Sequence, residues 1–306
     1  MQVDAFDPVP GKVEDLESGL RRIVAPNPSP MTYRGTNTYL VGSRDLAVVD
    51  PGPDDPAHLD AILAACGPDA RITHIVITHT HLDHAPLARA LSAATGAPTF
   101  GFGPATAGRS AVMEHLAQTD LVGGGEGIDT TFVPDHVVGD GAQIRGSDWT
   151  LDVIHTPGHL GNHICLGIGD ACLTADHVMG WASSLVSPPD GDLTDFMASC
   201  DHLNSWRDWR VFYPGHGAPI MDPHGRLDWL IAHRRAREAA ILEVLQAGPA
   251  TAAQIARAVY TDTPPTLLGA ATRNVLAHLI DLAGKSRVAT QGALHADAIF
   301  EATGPR

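Results

Sequence analysis

Thr78-His79-Thr80-His81-Leu82-Asp83-His84 sets three imidazoles and one carboxylate within six residues, directly behind the apolar run 72–77. An apolar run of that length, bounded by polar residues, reads as a buried strand. Side chains alternate along extended backbone, so His79 and His81 share a face, while Asp83 and His84 lie where the chain turns. Such a density of donors, pointing two ways from one loop, suits two neighbouring metal ions. A pair of ions needs further ligands. His159 in Thr156-Pro157-Gly158-His159, Asp176 in Leu173-Thr174-Ala175-Asp176 and His216 in Tyr213-Pro214-Gly215-His216-Gly217 each follow an apolar run at a glycine or small-residue turn. Loops at one edge of a sheet present side chains to a common point in this way.

Working outward, 38–41 and 46–49 read as strands, and 56–66 as a helix with Asp54 or Asp55 as N-cap and Gly67 as its stop. A helix over 85–94 and strands over 149–155, 164–168 and 171–174 follow, so a layered α/β domain is predicted over residues 1–222. The pattern changes at Pro223. A long helix runs to Gly248-Pro249, and behind it come a short helix (251–260), a Pro264-Pro265 break, a second helix (267–282) and two strand-like runs (287–290 and 298–300). Helix, helix and β-ribbon predict a winged helix within residues 223–306.

Composition narrows the chemistry. The chain has 306 residues, 44% hydrophobic and 18% charged, enough to bury a sizeable core and too apolar for disorder. Lys plus Arg number 20 against 35 Asp plus Glu, a net charge of -15 that repels polyanions and anionic membranes. Lys12 and Lys285 are the only lysines, and neither stands in a phosphate-loop or S-x-x-K setting; no G-x-S-x-G elbow occurs. Cys66, Cys165, Cys172 and Cys200 lack C-x-x-C spacing, as in buried thiols of a reducing compartment. With no apolar leader in 1–17 and no run approaching ~18 apolar residues, a cytoplasmic protein without a membrane span is expected. Of the other histidines, His58, His74, His155 and His177 read as structural.

H-x-H-x-D-H, followed by isolated His, Asp and His in Pro-Gly-His and Ala-Asp settings, resembles the metallo-β-lactamase superfamily of binuclear hydrolases, over residues 36–217. The segments 35–41 and 233–238 resemble lactamase-like proteins with an appended winged helix, whose animal relatives are mitochondrial endoribonucleases. The resemblance implies a four-layer αββα fold followed by a small winged-helix domain. It implies a first ion on His79, His81 and His159, a second on Asp83, His84 and His216, and Asp176 bridging both. Asp50 matches the family's acidic position behind a ligating imidazole. Zinc suits this ligand set best, with manganese or iron also compatible by ligand type. A hydroxide held by the two ions would be the nucleophile, with Asp83 also steering or accepting its proton. The subgroup places a histidine at His163 too, which reads either as a substrate or transition-state contact or as a strand residue.

Departures from the pattern bear on substrate. Ala85-Pro86 follows His84 where glyoxalase-like thioesterases continue with Gly, and no cysteine stands at a ligand position as in β-lactamases with a Cys-containing second site. Residues 232–306 carry 8 Lys/Arg and 6 Asp/Glu, a balance of +2, which leaves 12 against 29, or -17, for residues 1–231. An acidic catalytic domain favours a small ester, thioester or lactone over single-stranded RNA, the alternative that the endoribonuclease likeness raises. Arg234, Arg235, Arg237, Arg273 and Arg287 could still form a local basic patch. The second helix of the winged helix offers only Arg273, Asn274 and His278 for reading a groove, so docking onto the catalytic domain or homodimerisation is the expectation.

Overall fold

A computed structural model describes residues 6–119 and 122–304. The first sheet begins with the hairpin β1 (Val13–Glu17) and β2 (Leu20–Val24), continues through β3 (Asn37–Val41) and β4 (Asp45–Val49), and crosses over α1 (Pro56–Ala65) to β5 (Arg71–Val76). Helix α2 (Leu87–Thr95) leads to β6 (Thr99–Gly101), and α3 (Ala111–Thr119) precedes β7 (His136–Val137). Strands β1 to β7 lie in sequence order, antiparallel up to β4 and parallel from β4 onward. The second sheet contains β8 (Gln143–Arg145), β9 (Thr150–His155), β10 (Ile164–Ile168), β11 (Ala171–Ala175) and, after α4 (Leu193–Trp206), β12 (Val211–Pro214).

Strand alternation builds the layers. In β3, Tyr39 and Val41 face the second sheet while Leu40 faces α1 and α2; in β12, Val211 and Tyr213 face the first sheet while Phe212 faces α4. Both faces of each sheet are therefore apolar, which is why these strands read as near-continuous hydrophobic runs. The layers are αββα. Asp55 caps α1 by accepting from His58 N at 2.9 Å, and α2 starts at Leu87 rather than at residue 85 because Pro86, with φ fixed near helical values, suits the entry. Strands β1, β2 and β6 to β8 and helices α3 and α4 escaped the sequence reading. β1 is half exposed and carries three acids, and α4 mixes Thr, Asp, Ser and Asn among its apolar positions.

Helix α5 (Pro223–Ala247) lies against α4, then carries the chain into a second core. There α6 (Ala252–Val259), α7 (Leu268–Gly284) and the ribbon of β13 (Ala250–Thr251), β14 (Val288–Thr290) and β15 (Ile299–Ala302) form the winged helix, with Thr251 and Gln254 closing a capping box on α6. Helix α7 is turned inward. Asn274 Oδ1 accepts from Val186 N (3.0 Å) and from Arg234 (3.1 Å), Arg273 Nε donates to Ser187 Oγ (2.8 Å), Thr194 Oγ1 donates to Asp281 Oδ1 (2.8 Å), and His278 is buried. The polar reach of this helix is spent on the catalytic domain.

At the rim of the sandwich Trp149 fills the space left by the missing side chains of Gly42 and Gly146, and its Nε1 donates to Asp45 O at 2.5 Å. Trp149→Ala should cost about 3–5 kcal/mol, read as a lower urea midpoint by far-UV circular dichroism with an unchanged slope.

Candidate metal centre

Strands β4 to β7 run one way in the first sheet, and β9, β11 and β12 run one way in the second, so the loops that follow them gather at two edges. These edges meet: Asn37 N donates to Gly215 O at 2.7 Å, and Thr36 bridges His216. Asp50 follows β4, the His79–His84 loop follows β5, His159 follows β9, Asp176 follows β11 and His216 follows β12.

All seven expected ligands come together. Donor atoms of His79, His81, His159 and Asp176 lie within 4.8 Å of one another, as do those of Asp83, His84, Asp176 and His216. Asp176 belongs to both groups. In the first, His159 Nε2 stands 2.9 Å from His81 Nδ1 and 3.6 Å from Asp176 Oδ2; in the second, His216 Nε2 is 3.1 Å from Asp83 Oδ2 and 3.4 Å from Asp176 Oδ2. The closed edges of these rings leave His79 Nε2 and Asp176 Oδ1 buried without a hydrogen-bond partner. Buried polar atoms without partners are costly, and a cation between them removes that cost. The donor set fits one or two divalent ions.

Hydrogen bonds behind the ligands fix their tautomers. His159 Nδ1–H donates to Leu185 O (2.7 Å), His216 Nδ1–H to Gly35 O (3.1 Å) and His84 Nδ1–H to Asp50 Oδ2 (2.9 Å), which leaves each Nε2 lone pair facing the centre. Asp50 also accepts from Thr78 N (2.8 Å) and Thr78 Oγ1 (2.6 Å), and that hydroxyl accepts from His79 Nδ1–H (3.0 Å). One carboxylate thus orients a ligand of each group. Asp50, His79 and His84 are also close enough to hold an ion themselves, although hydrogen bonds already occupy Asp50 Oδ2, His79 Nδ1 and His84 Nδ1.

The backbone at two strand ends is strained toward the same goal. Asp50 (φ 49°) and Ala175 (φ 42°) both adopt left-handed conformations, each costing about 1–3 kcal/mol. Gly215 cannot be replaced freely, since a Cβ there would stand 2.3 Å from Asp176 Oδ1 and 2.9 Å from His84 Cε1.

Electrostatics separate the two groups. Burial, aided by the His159 imidazole, pulls His81 down to about 3, and burial with neighbouring imidazoles holds His79 well below the ordinary histidine range. Burial acts on His216 too, but the Asp176 and Asp83 carboxylates outweigh it and push the ring up to about 9. Asp83 and Asp176, also opposed by burial, are held well below the carboxylate range by His84 and His216. Both carboxylates are ionised at neutral pH. The field that favours a proton on His216 equally favours a cation.

His163 is fully buried behind His79, ring centroids 5.1 Å apart, with Nδ1 on Thr156 Oγ1 (2.9 Å) and Nε2 without a partner. It lines neither cavity at the centre. His58, His74, His155 and His177 belong to none of the donor groups, with His58 bonded to Thr38 Oγ1 at 2.8 Å and His177 Nε2 3.5 Å from Cys200 Sγ. Several contributors carry no sequence signal. Asn162 Nδ2 reaches Thr80 Oγ1 (3.1 Å) under the His79–His81 loop; Ser184 Oγ donates to the backbone oxygens of Asp176 and His177 (2.9 Å for the latter), and Arg234 of α5 donates to Ser184 O. Two cavities, of about 330 and 210 Å³, open on the centre and share His159, Leu185 and Ala270. Trp181, Ala182, Ser183, Leu185, Ser187 and Asp190, all of the 181–192 loop, line them. A larger cavity of about 650 Å³ between α3 and α7 touches none of the ligands.

Residues 31–236 match the metallo-beta-lactamase superfamily, and residues 251–296 match the beta-lactamase associated winged helix domain. The chain belongs to the metallo-β-lactamase superfamily. The Drosophila melanogaster beta-lactamase-like protein 2 homolog is 31% identical over 287 residues, 90% of this chain and 92% of that protein. An atrochrysone carboxyl ACP thioesterase of Claviceps purpurea is 28% identical over 250 residues, 80% of this chain and 70% of that protein. Among solved structures, a metallo-beta-lactamase family protein of Thermus thermophilus superposes with a TM-score of 0.76 at 26% identity, covering 94% of this chain and all of that one (100%). A beta-lactamase domain protein of Burkholderia ambifaria shares the fold at TM-score 0.79 and 19% identity, covering 98% and 96%. The protein is thus a superfamily hydrolase with a site able to hold metal, and none of its described helices is long and apolar enough to cross a membrane.

Asp176→Ala and His81→Ala should each abolish hydrolysis and lower bound metal, measured by plasma mass spectrometry; full metal content in both would contradict the centre. Asp50→Ala keeps all seven ligands yet should weaken metal affinity about 10–100-fold, measured by competition with a chromophoric chelator.

Proposed function

We propose that this chain is a dinuclear metal hydrolase, with zinc the ion best suited to its donors, and that it cleaves a small ester, thioester or lactone. The observation that carries the reading is the double donor set sharing Asp176, opening onto two cavities, the smaller of them lined mainly by apolar residues. When bound, a pair of divalent ions supplies Lewis acidity at a carbonyl oxygen and lowers the pKa of water from 15.7 toward ~7. The chain's own residues do the rest. Asp83 is the most exposed of the ligands bonded at the second group, and its ionised Oδ2 can orient an attacking water and accept its proton. His159 stands in the wall of both cavities, where a carbonyl carbon would have to rest to expose groups on either side. Leu185, Leu160 and Ile128 exclude bulk water around that point. His163, packed on His79, is read as a positioning residue rather than a substrate contact.

Two further facts support a small substrate over RNA. The residues before 232 carry the acidic balance of -17. Of the arginines that could answer it, Arg234 and Arg273 are committed to backbone oxygens of 184 and 122 and 188, and Arg237 donates to Val259 O at 3.1 Å. Little of that patch is left for phosphates. The fungal relatives named as thioesterases agree with this reading.

The zinc-loaded protein should hydrolyse short thioesters or esters with less than a twofold change in kcat/KM between 50 and 200 mM salt. A polyanion tracked by several basic residues would lose on the order of 10³ in affinity over that range. Cleavage of fluorescent single-stranded RNA that vanishes in His79→Ala and collapses with salt would replace this reading with the nuclease one.

A further inference from the structure

The smaller cavity at the metal centre is backed by positive charge that no acid neutralises. Arg226 of α5 donates to Met179 O (2.7 Å) and Ala182 O (2.8 Å), Arg234 to Ser184 O and to Asn274 Oδ1 (3.1 Å), and Arg237 to Val259 O (3.1 Å). Met179, Ala182 and Asn274 are walls of the cavity, and Ser184 and Val259 each adjoin one along the chain. In a protein with 35 acids against 20 bases, none of these three arginines forms a salt bridge among the described residues. Carbonyl bonds occupy their N–H groups but leave the charge in place, and for Arg234, 2% exposed, that charge is also out of water.

The polar groups that the winged helix turns to this cavity are donors. Val186 N (3.0 Å) and Arg234 both donate to Asn274 Oδ1, which fixes the amide and leaves the two N–H groups of Nδ2 on the cavity wall without an acceptor among the described residues. Tyr260 and Thr263, from the α6–α7 junction, line the same wall, and their hydroxyls are likewise without partners among the described residues. A hydroxyl can donate or accept; the Arg237 guanidinium, 4.5 Å from the centre of the Tyr260 ring, favours donation. Burial raises the Tyr260 phenol, while Arg234 and Arg237 act against it. The one acid in the wall is the ligand Asp176.

Resting on the hydrolase reading above, we infer that the smaller cavity is an anion subsite: the substrate carries a carboxylate remote from its scissile bond, and Asn274 Nδ2 and the Tyr260 hydroxyl, both of the winged helix, donate to it. Hydrogen bonds to an ionised acceptor are about twice as strong as neutral ones, so uncharged donors suffice where the field is right. Arg226, Arg234 and Arg237 supply that field from behind the wall, through charge rather than contact, and offset the desolvation of the bound anion. Donors on one wall of a small cavity suit a single planar anion. A nucleic-acid strand needs cations along a track, and the residues before 232 carry a balance of -17.

The test uses the full, metal-loaded chain and matched pairs of esters, mono(4-nitrophenyl) adipate and suberate against their methyl-capped counterparts. Expected is at least a tenfold higher kcat/KM for the free acid of each pair. Asn274→Asp keeps an acceptor for Val186 N and Arg234 but sets an anion where the N–H groups stood, and should lower that ratio at least tenfold. Tyr260→Phe, which removes the hydroxyl alone, should lower it at least threefold. Ratios cancel any loss of folded protein. Calorimetric titration with 6-oxo-6-phenylhexanoate, a ketone that cannot be hydrolysed, should show tighter binding than its primary amide and the same losses in both variants. Equal rates on free and capped esters, or a preference that both substitutions leave unmoved because the carboxylate sits on the metal ions, would overturn the subsite while leaving the hydrolase reading intact. Tighter binding of the dinucleotide uridylyl-uridine than of the ketone would overturn the carboxylate in favour of a phosphodiester. Absence of turnover on every ester, thioester and lactone would instead end the hydrolase reading, and the ketone titration would still decide the subsite.

Discussion

Asp176 is the group on which the rest of the centre depends. It is one carboxylate, 6% exposed, facing imidazoles on two sides. An ionised carboxylate in that position is tolerable only where positive charge meets it from both directions. The surrounding structure is arranged to keep it there. Ala175 bends the strand end into a left-handed conformation, Gly215 leaves out the Cβ that would displace Oδ1, and the Ser184 hydroxyl holds the Asp176 carbonyl. Five imidazoles and the carboxylates of Asp83 and Asp176 otherwise crowd one largely buried space.

The sheets supply the geometry. Parallel strands end on the same side, so a ligand placed after each arrives at one edge without any long loop. The apolar alternation that fuses the two sheets also brings their edges together, with Asn37 and Gly215 as the bridge. Packing and chemistry are one constraint here. A slip of one residue in β11 or β12 would turn Asp176 or His216 away from the site and their strands' core residues toward the wrong layer.

The C-terminal domain changes meaning once its position is known. A winged helix suggests a groove-reading helix, yet α7 points Arg273 and Asn274 at the 181–192 loop beside the metal centre. Arg234, buried on α5 with its guanidinium 5.0 Å from the centre of the Phe196 ring, ties that helix to Ser184 and so to Asp176. The appended domain forms part of the wall of the cavities at the donor groups.

Much of this was legible in the residues themselves. The His79–His84 loop, the Pro-Gly-His turns and the period-two strands announce donors and layers because those signals are local: spacing, turn chemistry and alternation act within a few residues. Asp50 was singled out only by the resemblance to the family's acidic position. Other parts had no local signature. The partner of Asn162, the tie from Arg234 through Ser184 to Asp176, the burial of His163 and the bordering of both cavities by Ala270 all join residues remote in the chain. An alanine on a helix turn looks the same whether it faces water or a substrate. Sequence alone settled which donors exist and which kind of element carries each, since backbone periodicity decides that; folding decided which donors share a cation and what closes over them, since those depend on distances between segments that no local pattern encodes.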